Sequence, residues 1–317
     1  MINTQLKYTF AKVLKFIVII FIIDFGLGFI AKELFLSQET GKFARSTYAI
    51  TKAKENILIF GSSHAHRHYV PEVIEKKTGK TCYNAGADGQ QLVYHSALQG
   101  MIFKRTLPEL IILNIDENFL FKSEKAFDRL DDLNPYYDDY SNELDPVFNL
   151  KSKYADPKLF FKAYQNNSTL IQAVRYYLAP QETPQGYRPL FEKMTFDKLT
   201  SHREDIQEKE YTEEIDSVFV KTLENFINEA KTNNVKLVFV TSPNLIPRNV
   251  SKNKSLTEIK AIAKSKNIPF YNYLNSKDFA NKLDLFYDPS HLNDNGARLF
   301  TGLLIDSILN DNKKHFN

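Results

Sequence analysis

Hydrophobic and polar positions divide the chain into three regimes. From Phe16 to Ile23 every residue is apolar, Asp24 interrupts, and Phe25 to Ala31 continue without charge. With Val13, Leu14 and Leu34 to Leu36 added, the run reaches about the twenty residues a bilayer requires. It lacks the polar stripe of a core helix in water. Twelve Phe, Ile, Leu and Val residues lie between positions 16 and 31. At roughly −0.3 to −0.6 kcal/mol each they outweigh about +3 kcal/mol for Asp24. Residues 1–36 are therefore expected to be an N-terminal transmembrane anchor. Lys7, Lys12 and Lys15 precede the span, which by the positive-inside bias puts the N-terminus in the cytoplasm and the rest outside. No small-residue cleavage site follows, so the reading is an uncleaved signal-anchor. A carboxylate within a span is costly unless paired, and a partner helix is one way to pair Asp24.

The second regime, residues 37–55, is polar and aperiodic and reads as a linker. The third, 56–317, alternates short apolar runs with helical patterns. Strands are expected at 56–60, 80–84, 110–115, 235–240 and 268–273, and helices near 71–78, 91–104, 217–232, 255–265 and 294–309. Continuously apolar strands separated by helices imply a parallel sheet covered on both faces, a three-layer α/β/α domain. Ligands in such sheets bind beyond the carboxyl ends of the strands. The rhythm breaks at 119–216, where an acidic, tyrosine-rich run (Asp131 to Tyr140) precedes Phe160, Phe161, Tyr164, Tyr176 and Tyr177. A stretch this long reads as an insertion, either a functional lid or a helical subdomain over the sheet edge.

Composition narrows the function classes. Lys and Arg number 41 against 38 Asp and Glu, a net charge of +3, too slight for a nucleic-acid partner. One cysteine, Cys82, forms neither an internal disulfide nor a thiolate metal site. The absence of Trp beside 25 Phe and 17 Tyr leaves ample material for a packed core.

The chemistry lies at two strand-end loops. The first strand runs into Gly61-Ser62-Ser63-His64, which sets a hydroxyl at the strand's carboxyl end. A serine there needs a base, and the base a group that fixes its tautomer. Asp288-Pro289-Ser290-His291, just before the last helix, supplies both. Residue type alone also fits plainer roles: Ser63 as a helix N-cap, Asp288 and His291 as turn and surface residues. His64, His66 and His68 invite a metal reading. On entering a helix, however, a spacing of two diverges by about 200 degrees, and no carboxylate cluster accompanies them, so no metal and no cofactor is assigned. His64 is left as a substrate contact or a solvated position, and His66 and His68 as solvated ones. Ser242-Pro243-Asn244 follows the fourth strand at the same edge.

Taken together these blocks resemble the SGNH (GDSL-like) hydrolase superfamily, whose first block carries the nucleophile after the first strand and whose last is Asp-x-x-His before the final helix. The resemblance covers roughly residues 56–118 and 235–310 and implies a flavodoxin-like fold with Ser63, Asp288 and His291 as catalytic triad. It implies an oxyanion hole from Ser63, Gly86 of Asn84-Ala85-Gly86, and Asn118. The usual Gly-x-Asn-Asp block is here Asp116-Glu117-Asn118-Phe119, keeping only the asparagine. The serine at Ser62, where the family has aspartate, is similar to the branch of bacterial cell-envelope acyltransferases. The expected function is a serine esterase or O-acyltransferase of the inner membrane, single-pass, with its catalytic domain on the periplasmic or extracytoplasmic side. It would act on an acyl ester, acetyl foremost, of an envelope glycan or on a small ester, with a membrane acyl-donor protein as a further expected partner. The alternative is a catalytically inactive carbohydrate-binding or assembly protein on the same fold.

Overall fold

The computed structural model describes residues 4–151, 155–201 and 211–314. In chain order the helices are α1 (Thr4–Leu36), α2 (Gly41–Thr51), α3 (Ser63–His68), α4 (Pro71–Thr78), α5 (Leu92–Phe103), α6 (Glu124–Asp128), α7 (Tyr137–Lys151), α8 (Ala155–Leu159), α9 (Lys162–Leu178), α10 (Phe196–Ser201), α11 (Ser217–Thr232), α12 (Lys254–Ser265) and α13 (Asp294–Lys314). The strands are β1 (Ile57–Phe60), β2 (Cys82–Asn84), β3 (Leu110–Asn114), β4 (Lys236–Thr241) and β5 (Phe270–Asn272). The chain divides into two compact units, residues 1–44 with 127–181 and residues 45–126 with 182–317.

The larger unit is built on the five strands, all parallel, in the order β2-β1-β3-β4-β5. Side chains alternate across a strand, so each apolar run feeds two layers. Ile57, Ile59, Ile112, Val238 and Val240 join one buried cluster with Phe300, Leu304 and Ile308 of α13. Phe60 points the other way, its ring 5.8 Å from Phe226 of α11 and 6.2 Å from His95 of α5. This is the doubly wound three-layer arrangement expected from the continuous apolar runs.

The smaller unit pairs α1 with the inserted helices. Helix α1 is 33 residues long with a mean hydropathy of 2.6 in its most apolar window, long and apolar enough to cross a membrane. Phe35 lies against Phe43 and Tyr136, with ring centres at 4.8 and 5.4 Å. Gly41, at φ +90, leaves room for the Tyr176 ring, which an added Cβ would meet at 2.4 Å.

Two stretches differ from the sequence reading. The expected linker contains a full helix, α2. Its buried positions include Ser46 and Thr47 beside Phe43, Ala49 and Ile50, so burial there is carried partly by small polar residues and leaves no hydrophobic period to read. The expected insertion 119–216 splits. Its middle, 127–181, belongs with α1, whereas 182–216 returns to the sheet unit. Arg188 N–H donates to the His66 carbonyl at 3.0 Å and Met194 N–H to that of Phe286 at 2.7 Å. Positions 152–154 and 202–210 of that stretch lie outside the described residues.

Candidate active site

The turn from β1 into α3 rests on Gly61. Its φ is +138, and an added Cβ would lie 2.8 Å from that of Asn114 and 2.9 Å from that of Ala65, so only glycine fits. Ser62 is the N-cap of α3, its Oγ accepting the His64 N–H at 3.4 Å. Capping thus falls to Ser62, and Ser63 begins the helix with its hydroxyl free for another partner.

That partner is His291. Ser63 Oγ and His291 Nε2 are 2.9 Å apart, and His291 Nδ1 lies 2.8 Å from Asp288 Oδ2 and 3.0 Å from Oδ1. Asp288 is held in turn by the backbone N–H groups of Ser290 and His291, which donate to Oδ1 at 2.9 and 2.8 Å. The loop is closed by the antiparallel bridge Phe286 to Leu292. The Leu292 N–H donates to His68 Nε2 at 3.0 Å, tying the loop that carries the base to the helix that carries the hydroxyl.

The other expected positions fare differently. The Gly86 N–H donates to Asn84 Oδ1 at 3.0 Å, so this donor is already engaged. Glycine at 86 has a packing reason instead: a Cβ there would lie 2.6 Å from His66 N and 2.9 Å from Ala65 C. Asn118 is exposed and lines a cleft of about 170 Å³ together with His64, Asp116, Glu117, Ser242, Asn244 and Arg248. Ser242 is buried and donates to Asn114 Oδ1 at 2.6 Å, and Asn244 to Glu117 at 3.5 Å.

No family model and no curated protein matches this chain. Among solved structures it is similar to one assigned to the G-D-S-L lipolytic family from Desulfitobacterium hafniense DCB-2, at 10% identity and a TM-score of 0.38, over 79% of this chain and 97% of that one. It is also similar to one assigned as a platelet activating factor from Streptococcus pneumonia, at 12% identity and 0.41, over 94% and 98%. A third, assigned as an acylhydrolase from Bacteroides fragilis NCTC 9343, is 13% identical with a TM-score of 0.39, over 84% and 94%.

The three histidines after the hydroxyl point at three separate partners. His64 Nδ1 is 2.7 Å from Asp116 Oδ1, and His66 Nδ1 is 3.0 Å from Asp88 Oδ1. His68 accepts from the Leu292 N–H. Far from being solvated, His66 and His68 are fully buried. Burial pushes His66 down to about 3 and His68 well below its usual value, so both are neutral. At His64 burial also acts downward, but the charge and hydrogen bond of Asp116 outweigh it and raise its pKa.

At the candidate base, burial lowers His291 and the nearby His64 charge adds to this, against the pull of Asp288. His291 is therefore a neutral imidazole at pH 7. Burial works to raise Asp288, but the His291 hydrogen bond and charge and the two backbone N–H groups hold it at about 2. The carboxylate is charged and the imidazole uncharged, the state in which a proton can be accepted from a hydroxyl.

Sequence reasoning passed over the His64–Asp116 pair and the network behind it. Asn114 donates to Asp116 Oδ1 at 3.1 Å and accepts from Tyr69 Oη at 2.8 Å. Glu117 accepts from Arg248 at 3.1 Å and from the Tyr211 hydroxyl. The available signal was an asparagine and an aspartate two apart at the carboxyl end of β3, the edge where ligands bind.

Proposed function

We propose that this chain is an SGNH-type serine esterase or O-acyltransferase, anchored in a membrane by α1 and acting on an acyl ester, acetyl foremost, of an extracytoplasmic envelope glycan. The observation that supports it is the unbroken chain of hydrogen bonds from Ser63 Oγ through both nitrogens of His291 to Asp288. It sits at the carboxyl end of a parallel sheet, where ligands bind.

In this reading the Ser63 hydroxyl attacks the ester carbonyl as its proton passes to His291 Nε2. The tetrahedral intermediate collapses, the carbon–oxygen bond to the leaving alcohol breaks, and His291 returns the proton to that oxygen. Asp288 fixes the imidazole tautomer and stabilises its charged form. A second nucleophile, water or a sugar hydroxyl, then gives its proton to His291 as it attacks the acyl carbonyl, the bond to Ser63 Oγ breaks, and His291 returns the proton to Ser63 Oγ. Transfer rather than hydrolysis requires an acyl donor on the same side of the membrane, for which a membrane acyl-donor protein is the proposed partner. The oxyanion donors are the Ser63 N–H and the Asn118 amide bordering the cleft. The Gly86 N–H joins them only if Asn84 releases it. Each donor is worth about 3 to 4 kcal/mol in the transition state.

The test is turnover of a small aryl acetate by the full chain in detergent, followed by acetate release to water against acetyl transfer to a sugar acceptor. Wild-type turnover lost in Ser63→Ala and in His291→Ala supports the enzyme. A folded wild-type protein inert toward every ester would leave the fold as a binding module.

A further inference from the structure

The smaller unit contains a polar contact that its apolar surroundings make informative. Asp24, the single charge in the apolar run of α1, accepts the Lys162 N–H at 2.8 Å and the Ala163 N–H at 3.1 Å. Its carboxylate therefore caps the first turn of α9, where the helix dipole favours a negative charge. From there α9 runs parallel to the second half of α1. An added Cβ on Gly28 would lie 2.3 Å from that of Lys162, so the missing side chain allows the close approach. Further along, Tyr177 Oη donates to the Leu34 carbonyl at 3.1 Å. The partner that Asp24 needs is thus supplied by the chain itself.

The start of α9 carries two aromatic residues that the unit does not bury. Phe160 and Phe161 pack against Phe21 of α1, with ring centres at 6.1 Å each. They nevertheless remain 55% and 42% exposed. Along α9, Ile171 and Leu178 are each 81% exposed, and with Val174 they form a stripe at the i, i+3, i+7 spacing of one helical face. Apolar exposure on this scale marks an interaction surface. Two lysines beside the tip are paired, Lys162 with Asp138, and Lys32 with Asp139 at 3.2 Å and Asp138 at 3.6 Å. Ionic groups held this way are suited to a surround of low dielectric constant.

We propose that this inserted element is a second membrane-seated part of the protein: the Phe160–Phe161 tip enters the acyl region beside α1, and the Ile171, Val174 and Leu178 face of α9, running alongside α1, meets the acyl chains of the same leaflet. The occupant of the exposed surface is lipid because the tip continues the apolar surface of α1 itself, through Phe21 and Phe25, and α9 carries the stripe alongside the second half of α1. The leaflet is the one away from Lys7, Lys12 and Lys15. The proposal rests on the anchor reading of α1.

The natural absence of Trp makes the test direct. Four single-Trp variants of the full chain, Ile19→Trp, Phe161→Trp, Ile171→Trp and Leu107→Trp, are reconstituted in phosphatidylcholine vesicles, with and without bromine on the acyl chains. Leu107 is an exposed residue of the sheet unit and serves as the reference. The expected result is quenching at 19, 161 and 171 by more than twofold over position 107. Quenching at 19 with position 161 or 171 no more quenched than 107 overturns the proposal and leaves the anchor standing, whether water or a second copy covers the face. Absence of quenching at 19 removes the anchor, and the proposal with it.

Discussion

Two imidazole–carboxylate pairs lie side by side at the carboxyl end of the sheet, and they are electrically opposite. His291, paired with Asp288 on the last loop, is lowered and touches the hydroxyl at 2.9 Å. His64, paired with Asp116 after β3, is raised, its ring centre 5.4 Å from that of His291. The chemical pair is the same, but the surroundings differ. The His291 pair also feels the charge of its neighbour, whereas His64 sits against a part-buried carboxylate fixed by Asn114 and has Glu117 nearby. A pair of this kind is thus defined less by its members than by what each carboxylate must offset, and one pair sets the field in which the other works.

The largest expected effect comes from breaking the first pair. Ser63→Ala or His291→Ala should lower kcat for an aryl acetate by about 10⁴-fold or more, and Asp288→Asn by a comparable factor through the wrong tautomer. Asp116→Asn should do far less, below about tenfold at pH 8, because no proton of the reaction passes through it. Its signature lies in the pH profile. With His291 as the proposed base, its neutral form is the active one; as its pKa is lowered from the usual 6.5, wild-type activity should persist below pH 6.5 and fall only as pH drops through that lowered value. Removing the positive charge nearby, by Asp116→Asn or His64→Gln, should raise the His291 pKa and move the acid limb upward. An unmoved limb in both variants would mean that the two pairs are electrically independent.

Smaller effects concern stability. His68→Ala leaves the Leu292 N–H buried without its acceptor and should cost about 1 to 3 kcal/mol in denaturant unfolding. Conservative replacement by Gln, able to accept the same bond, should restore part of it. Acid should also weaken the fold. His66, His68 and His95 are buried and lowered, so below pH 6.5 the unfolded chain takes up protons that the folded one refuses. Stability from these groups is complete above pH 6.5. It falls with pH below that, by at most about 1.4 kcal/mol per unit for each histidine. The raised His64 works the other way, adding stability that is lost as pH rises through its folded value.

The sheet was legible in the sequence because its central strands β1, β3 and β4 are apolar runs, and because helices such as α11 and α12 carry an apolar stripe. The meeting of Ser63, His291 and Asp288 was within reach of the sequence because they sit in two short blocks, each at a strand end or helix start. Helix α2 was not, since Ser46 and Thr47 share its buried face. Nor were the roles of His66 and His68, because which way a side chain leaves a six-residue helix depends on the loops packed around it. Gly86 was read as an oxyanion donor from its place after β2. The neighbouring Asn84 side chain, a three-dimensional fact, takes that N–H. The capping of α9 by Asp24 joins positions nearly 140 residues apart, beyond any local pattern.

The most direct test of the central claim is covalent labelling of the full chain with a serine-directed phosphonate, followed by peptide mapping. One adduct is expected, on Ser63, that disappears in His291→Ala although the hydroxyl is still present. Labelling of a different residue, or a folded protein that takes up no label at all, would contradict it.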